Sequence, residues 1–401
     1  MIPLMRPLLD DDEAEAVRRV LESGWITQGP EVAAFERDFA AAVGAPHACA
    51  VSSGTAALHL ALLAVGVSAG DEVVVPSHSF IASANAVRYC GAVPVLVDVR
   101  EDSFNLDIDE VARAIGERTR AVLCVHQIGM PCDLARLVPL CRERGVALVE
   151  DAACAIGAEV RIDERGRFER IGKPHGDVAC FSFHPRKVIT TGDGGMVTTA
   201  DAALDAKVRS WRAHAASVAA SERHGARVVS APTFAELGYN YRLTDIQAAI
   251  GRVQIGRLDA IIARRRALAA RYHALLAAVD GVAPPHEPPW ARSNFQSYCV
   301  TLPERCDQQA VLQRLLDAGI ACSAGVMNIH REPAYAGGSQ PFRCVEDGPA
   351  HCGCAGARDC RALRRGVAVQ QRGIILPLYD ALTDDEQQQV VDALAAAVSA
   401  S

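Results

Sequence analysis

Lys187 closes the run Cys180-Phe181-Ser182-Phe183-His184-Pro185-Arg186-Lys187 and is followed by Val188-Ile189-Thr190-Thr191-Gly192-Asp193-Gly194-Gly195. Val178, Cys180 and the two phenylalanines suggest a strand ending at Pro185, which leaves the amine at a strand terminus beside a glycine-rich turn. An ammonium there is either a solvated tip, the commoner state of lysine, or an amine awaiting a carbonyl partner. Two upstream segments favour the second. Val146-Ala147-Leu148-Val149 ends in Glu150-Asp151, and Ser52-Ser53-Gly54-Thr55 opens an Ala/Leu-rich helix. A strand-end carboxylate, a helix start ready for phosphate and a strand-end lysine are the three fixings that pyridoxal 5′-phosphate (PLP) requires of a protein.

In that chemistry Lys187 takes the cofactor's aldehyde and then shuttles a proton. Asp151, near the carboxyl end of its strand, holds the pyridine nitrogen protonated; ligands of open α/β sheets collect at that end. The amides of Gly54 and Thr55, at a helix N-terminus, bind the phosphate, with the hydroxyls of Thr55 and Ser182 assisting. Each piece also has an ordinary reading. Ser53 fits an N-cap, Asp151 a structural partner for an arginine, and Asp193-Gly194-Gly195 a hairpin turn. Order and spacing together make them one site.

The elements that must carry this site alternate. Helices are expected over about Asp11 to Ser23, Glu31 to Val43, Thr55 to Val65, Ala82 to Tyr89, Asp109 to Ile115 and Leu134 to Arg144. Short Val-rich strands fall at Glu72 to Val75, Pro94 to Val99, Ala121 to His126 and Ala147 to Glu150. Short apolar strands spaced by helices predict a mainly parallel sheet covered on both faces. A long helix, about Thr244 to Leu275, leads away from it. After the Pro-rich stretch 283–289, a strand at Ser297 to Thr301, a helix at Gln308 to Ala318 and a last helix at Asp384 to Ala397 make a second α/β unit. Gly337 to Gly366, rich in Gly, Cys and Arg, reads as a loop or insertion.

At 401 residues, half of them hydrophobic and 22% charged, the chain has room for two domains and the composition of a soluble enzyme. The net charge of −7 is spread out, and the basic clusters Arg264-Arg265-Arg266 and Arg361 to Arg365 lack interleaved aromatics, which argues against nucleic acid. No apolar stretch is long enough for a bilayer, and the acidic start, Met1 to Asp12, does not resemble a signal peptide. A cytoplasmic protein without a membrane partner is expected. Of the 14 cysteines, ten are scattered, several in strand-like runs. Cys344, Cys352, Cys354 and Cys360 crowd into one segment. Their spacing, C-x7-C-x-C-x5-C, lacks the C-x2-C pairs of common zinc sites, so loop thiols are preferred over a structural zinc, and no catalytic metal is expected.

The motifs resemble those of the DegT/StrS-type nucleotide-sugar aminotransferases, PLP enzymes of fold type I in the aspartate-aminotransferase superfamily. The resemblance runs from Gly24-Trp25-Ile26-Thr27 to Leu376-Pro377-Leu378-Tyr379. It includes Ser53-Gly54-Thr55-Ala56-Ala57-Leu58, Pro76-Ser77-His78-Ser79-Phe80, Glu150-Asp151-Ala152-Ala153, Ser182-Phe183-His184-Pro185-Arg186-Lys187 and Gly238-Tyr239-Asn240-Tyr241-Arg242-Leu243. It implies a large PLP-binding α/β/α domain over residues 1–252 and a smaller C-terminal α/β domain over 253–401; the Cys-bearing insertion near 337–366 is not part of the family's pattern. It also implies a ring from Phe80 stacked on the cofactor, and Asn240 reaching the cofactor phosphate of a neighbouring subunit, hence a homodimer with shared sites. Trp25, Ile26 and Thr27 would line a sugar pocket, with His184 and His330 on the substrate side. One departure concerns the cofactor: where many relatives carry Gln or His, this chain has Cys154, a poor donor near the cofactor's phenolic oxygen.

The expected reaction moves an amino group from glutamate or glutamine to a nucleotide-activated keto-sugar, a 4-keto-6-deoxy hexose by resemblance. It is ping-pong, through pyridoxamine 5′-phosphate. A ketocyclitol is the alternative at substrate level. A PLP-dependent sugar dehydratase is disfavoured because relatives of that type replace the lysine with histidine. A non-catalytic PLP-binding regulator is disfavoured by the intact lysine, aspartate and phosphate site.

Overall fold

Valine-rich runs set the architecture. In the computed structural model, which describes residues 1–163, 166–217, 231–336, 341–344 and 360–400, they form strands β1 (His47–Val51), β2 (Glu72–Pro76), β3 (Val93–Val97), β4 (Thr119–Val125) and β5 (Ala147–Asp151). Two-residue strands β6 (Glu159–Val160) and β7 (Glu169–Arg170) follow, then β8 (Val178–Ser182) and β9 (Gly195–Thr199). The C-terminal part adds β10 (Ala291–Arg292), β11 (Tyr298–Thr301), β12 (Ser323–Ala324), β13 (Arg343–Cys344) and β14 (Gly373–Leu376). Eight of these strands make one sheet in the order β1-β9-β8-β5-β4-β2-β3-β13. Only β9 runs against the rest. The sheet is therefore mainly parallel, as expected.

Both faces are buried, which is why these strands read as continuous apolar runs rather than alternating ones. Val74, Val95, Val97, Val122 and Cys124 pack on one side with Phe35, Phe39 and Leu134. Val73, Val75, Leu96, Ala121 and Leu123 pack on the other with the Gly54–Ala64 helix. Leu58, Leu60 and Leu62 of that helix are all essentially inaccessible to solvent. At ~1.5–3 kcal/mol for each leucine withdrawn from water, this contact is a major stabiliser of the helix whose first turn begins the site.

The C-terminal unit has its own core, from Leu268 and Tyr272 through Tyr298, Leu315 and Leu394, around the three-stranded sheet β11-β14-β12. Chain order does not separate it cleanly from the large sheet. Ile2 lies in this core and bonds Gly319 and Ala321, so the N-terminus belongs with residues beyond 253. In the other direction, β13 joins the edge of the large sheet, pairing Arg343 with Val95 and Cys344 with Leu96.

One expectation needs correction. The long helix is two, Asp245–Gly256 and Leu258–Leu276, broken at Arg257. Gly256 is a weak helix former there, and the Arg257 guanidinium is drawn to Asp10, Asp12 and Glu13. Of the segment read as a loop or insertion, residues 337–340 and 345–359 lie outside the described residues; Arg343–Cys344 form β13. A helix, Arg364–Arg372, begins in its last three residues, its start tied down by Asp98, whose Oδ2 accepts from Arg365 N–H and Oδ1 from Gly366 N–H. Cys344 and Cys360 are buried, with their sulfurs 3.3 Å apart. Cys352 and Cys354 lie outside the described residues. Among the described residues, no group of three or more His, Cys, Asp or Glu is arranged to hold a metal, and no helix is long and apolar enough to cross a membrane.

Candidate active site

Three strand ends and one helix start converge. Gly195 pairs with both Val51 and Ser182, so β9 sets the helix that starts at Gly54 beside the end of β8. Asp151 pairs with Cys180, which places the carboxylate one strand further on. Ser53 is extended, and its hydroxyl accepts from Ala56 N–H at 3.1 Å, so the N-cap reading of this residue holds. A methyl group on Gly54 would lie 2.7 Å from Ser182 Cβ, and one on Gly195 would lie 2.4 Å from the Ser53 carbonyl. Glycine is required at both positions to bring the helix amides and the Ser182 hydroxyl to one spot, a geometry suited to phosphate.

The adjacent acids Glu150 and Asp151 separate because successive strand residues point to opposite faces. Glu150 accepts from His126 Nε2 at 3.0 Å and from Gly176 N–H at 2.8 Å, wholly buried. Burial works against its charge, but the His126 contact outweighs this and holds the carboxyl below its usual range. Glu150 is thus satisfied within the fold. Asp151 is 5% exposed; its Oδ2 accepts from Ser83 Oγ at 2.9 Å and its Oδ1 from Ala153 N–H at 3.1 Å. Burial raises its pKa against those bonds and the charge of Lys187. A buried carboxylate kept short of positive charge is suited to a protonated ring nitrogen.

Lys187 sits in a loop pinned at its base. Phe183 N–H donates to Gly194, and Thr190 Oγ and Thr191 N–H both donate to the Phe183 carbonyl. Phe181 and Phe183 anchor the strand below in an aromatic cluster with Phe35 and Phe39. The lysine Nζ donates to Cys154 Sγ at 3.1 Å, so the residue that departs from the expected pattern touches the amine. Asn294, from the C-terminal unit, fixes the Cys154 loop by donating to the carbonyls of Cys154 and Ile156, each at 2.8 Å.

The remaining expected residues divide. Phe80 is 67% exposed, an unusual state for phenylalanine and one that leaves its ring face available. Asn240, His184, Ile26 and Thr27 are exposed and Trp25 is half-buried. His330 is fully buried, with Nδ1 2.7 Å from Ser77 Oγ. Ser83 and Asn294 were not singled out from the sequence; an isolated serine or asparagine carries no motif, and each meets its partner from far along the chain.

Residues 7–346 match the DegT/DnrJ/EryC1/StrS aminotransferase family. The chain belongs to that family. It is 39% identical over 339 residues to the GDP-perosamine synthase of Caulobacter vibrioides, which covers 84% of this chain and 87% of the relative. Its fold matches DesV of S. venezuelae, solved with a ketimine intermediate, at a TM-score of 0.84 and 33% identity, covering 98% of both chains. A sugar aminotransferase of Streptococcus pneumoniae, Spr1654, described as putative and solved in its PMP form, matches over the whole of both chains at a TM-score of 0.88 and 26% identity. The chain is accordingly a PLP-dependent sugar aminotransferase of fold type I.

The residues present fit the cofactor. The amides of Gly54 and Thr55 with the Ser182 hydroxyl would hold its phosphate, Asp151 its ring nitrogen, Phe80 a ring face and Lys187 its aldehyde carbon.

Proposed function

We propose that this aminotransferase acts on a nucleotide-activated 4-keto-6-deoxy hexose, with glutamate or glutamine as donor. The observation that carries the chemistry is the pairing of a buried Asp151, held by Ser83, with Lys187 on its pinned loop. When bound, PLP supplies the electron sink that makes a substrate C–H acidic. Lys187 would then hold and move the proton at Nζ. Asp151, oriented by Ser83, would keep the ring nitrogen charged, and the Gly54 cradle would hold the phosphate. Trp25, Ile26 and Thr27 form the wall against which the sugar lies, and His184 stands at its mouth.

The sugar assignment is supported by similarity to a GDP-perosamine synthase. The presence of Lys187 supports amino transfer over dehydration. The reading includes a homodimer in which Asn240 serves the neighbouring subunit's phosphate, and a cytoplasmic location, where nucleotide-activated sugars are made. Incubating the purified protein with PLP, glutamate and a panel of nucleotide keto-sugars and ketocyclitols tests it. An aminated 4-keto-6-deoxy sugar nucleotide is expected; turnover of a ketocyclitol alone would overturn the sugar assignment.

A further inference from the structure

Asp245 lies outside the cofactor shell, yet it holds the segment that faces the sugar. Its carboxylate, 1% exposed, takes three backbone N–H groups: Oδ1 accepts from Gly29 at 2.7 Å and Val32 at 3.0 Å, and Oδ2 from Glu31 at 3.2 Å. A bond returns the other way, from Asp245 N–H to the Thr27 carbonyl at 3.1 Å. The Pro30–Val43 helix starts at Gly29, which has no side chain to cap it. Asp245 supplies that cap from 216 residues away, with a negative charge at the positive end of the helix.

The contact constrains Trp25 as well. A methyl group on Gly29 would lie 2.0 Å from Trp25 Nε1 and 2.8 Å from Asp245 Oδ2, so indole, glycine and carboxylate are packed against one another. Trp25 Nε1 donates to the Gln28 carbonyl at 3.1 Å, closing the turn. Two residues beyond Asp245, Gln247 Nε2 donates to the Asp193 carbonyl at 2.8 Å, while its Oε1 accepts from Thr244 Oγ at 2.8 Å. Asp193 belongs to the turn that follows Lys187. The first turn of the Asp245–Gly256 helix therefore touches the sugar-facing segment on one side and the lysine's loop on the other.

We infer that Asp245 is a positioning residue for the keto-sugar, setting where Trp25–Thr27 stands relative to Lys187. The inference rests on reading Trp25–Thr27 as the sugar wall. A carboxylate that only capped a helix would affect stability and both half-reactions alike. One that positions the wall affects the sugar half-reaction and spares the one with the small amino donor.

The test uses the PLP-loaded enzyme and Asp245→Asn, which replaces one accepting oxygen with an NH2 group facing backbone N–H. KM for the nucleotide keto-sugar should rise about tenfold or more, the scale expected when a charge-assisted hydrogen bond is lost. The donor half-reaction, followed by the cofactor's absorbance change with glutamate, should stay within about twofold. Should Asp245→Asn not fold, Gly29→Ala presses on the same contact from the other side and should give the same split. An equal fall in both half-reactions, or a lower melting temperature with no change in sugar KM, would overturn the role. Trp25→Ala is the control for the underlying reading. If it leaves sugar KM unchanged, the wall assignment fails and the inference with it; if it raises KM while Asp245→Asn does not, only the inference fails.

Discussion

Lys187 and Cys154 are in direct contact, the ammonium donating to the thiol sulfur across 3.1 Å. Cys154 is half-buried and touches the amine that would take the cofactor's aldehyde. The cofactor-free protein should therefore react with iodoacetamide at Cys154 faster than at buried thiols such as Cys124 or Cys180, and PLP should protect it. Peptide mapping after a short labelling pulse, with and without PLP, reads this directly. Equal labelling in the two states would place Cys154 away from the cofactor.

Lys187→Ala should abolish turnover and leave the fold intact, because the lysine's loop is held by Phe183, Thr190 and Thr191 rather than by the amine itself. The loss should be at least the ~10²–10⁴-fold that positioned proton transfer contributes. Borohydride reduction of the wild-type enzyme followed by peptide mapping should put the pyridoxyl group on Lys187. A label on any other lysine sinks the assignment.

Asp151→Asn should cost more than about tenfold in kcat/KM, beyond the ~0–1 kcal/mol of an exposed ion pair, since a neutral amide does not keep the ring nitrogen charged. Its effect on stability has the opposite sign without cofactor. Burial raises the Asp151 pKa, so the folded chain holds that proton more tightly than the unfolded chain does. Ionising it costs stability as pH rises through the folded value, and the cost is absent below about pH 4, where both states are protonated. Cofactor-free Asp151→Asn should thus melt above cofactor-free wild type at pH 7, with the gap closing toward pH 4, as the Ser83 hydroxyl can turn to accept from the new amide. Thermal scans across that range check it; a mutant that melts lower at pH 7 would show that the lost hydrogen bond dominates.

Subunit exchange tests the shared site. Lys187→Ala and Asn240→Ala, each inactive alone, should recover activity when mixed, because in a mixed dimer one site receives both native residues. Recovery toward about a quarter of wild-type turnover is the ceiling for random exchange in which one of every four sites is intact. An active monomer in solution, or no recovery despite demonstrated exchange, would remove Asn240 from the neighbouring site.

How much of this was legible in the sequence depended on distance along the chain. Lys187, Asp151 and Gly54 were readable because each lies in a local pattern, a strand end or a helix start, and because their chemistry tolerates few substitutes. The helices at Ala82–Tyr89 and Leu134–Arg144 fell where local periodicity put them. What was missed is long-range. Ser83 reaches Asp151 over 68 residues, Asn294 reaches Cys154 over 140, and Asp245 reaches Gly29 over 216. No local pattern announces a partner so remote. The burial of His330 against Ser77 was not legible for the same reason: it depends on packing between segments 253 residues apart. The break at Arg257 escaped because apolar periodicity continues through it, while the acidic residues that draw the arginine away lie at the other end of the chain.

The short strand β13 carries a consequence for dissecting this protein. It covers the flank of β3, whose sequence Val93-Pro94-Val95-Leu96-Val97 is wholly apolar. A fragment stopping near residue 252 would keep Lys187, Asp151 and the phosphate cradle but leave that flank bare, with open backbone groups ready to recruit a strand from another copy. Such a fragment is therefore expected to precipitate rather than bind cofactor as a minimal catalytic half. The late residues Arg343 and Cys344 act as a selvage, the woven border that keeps a cloth from fraying.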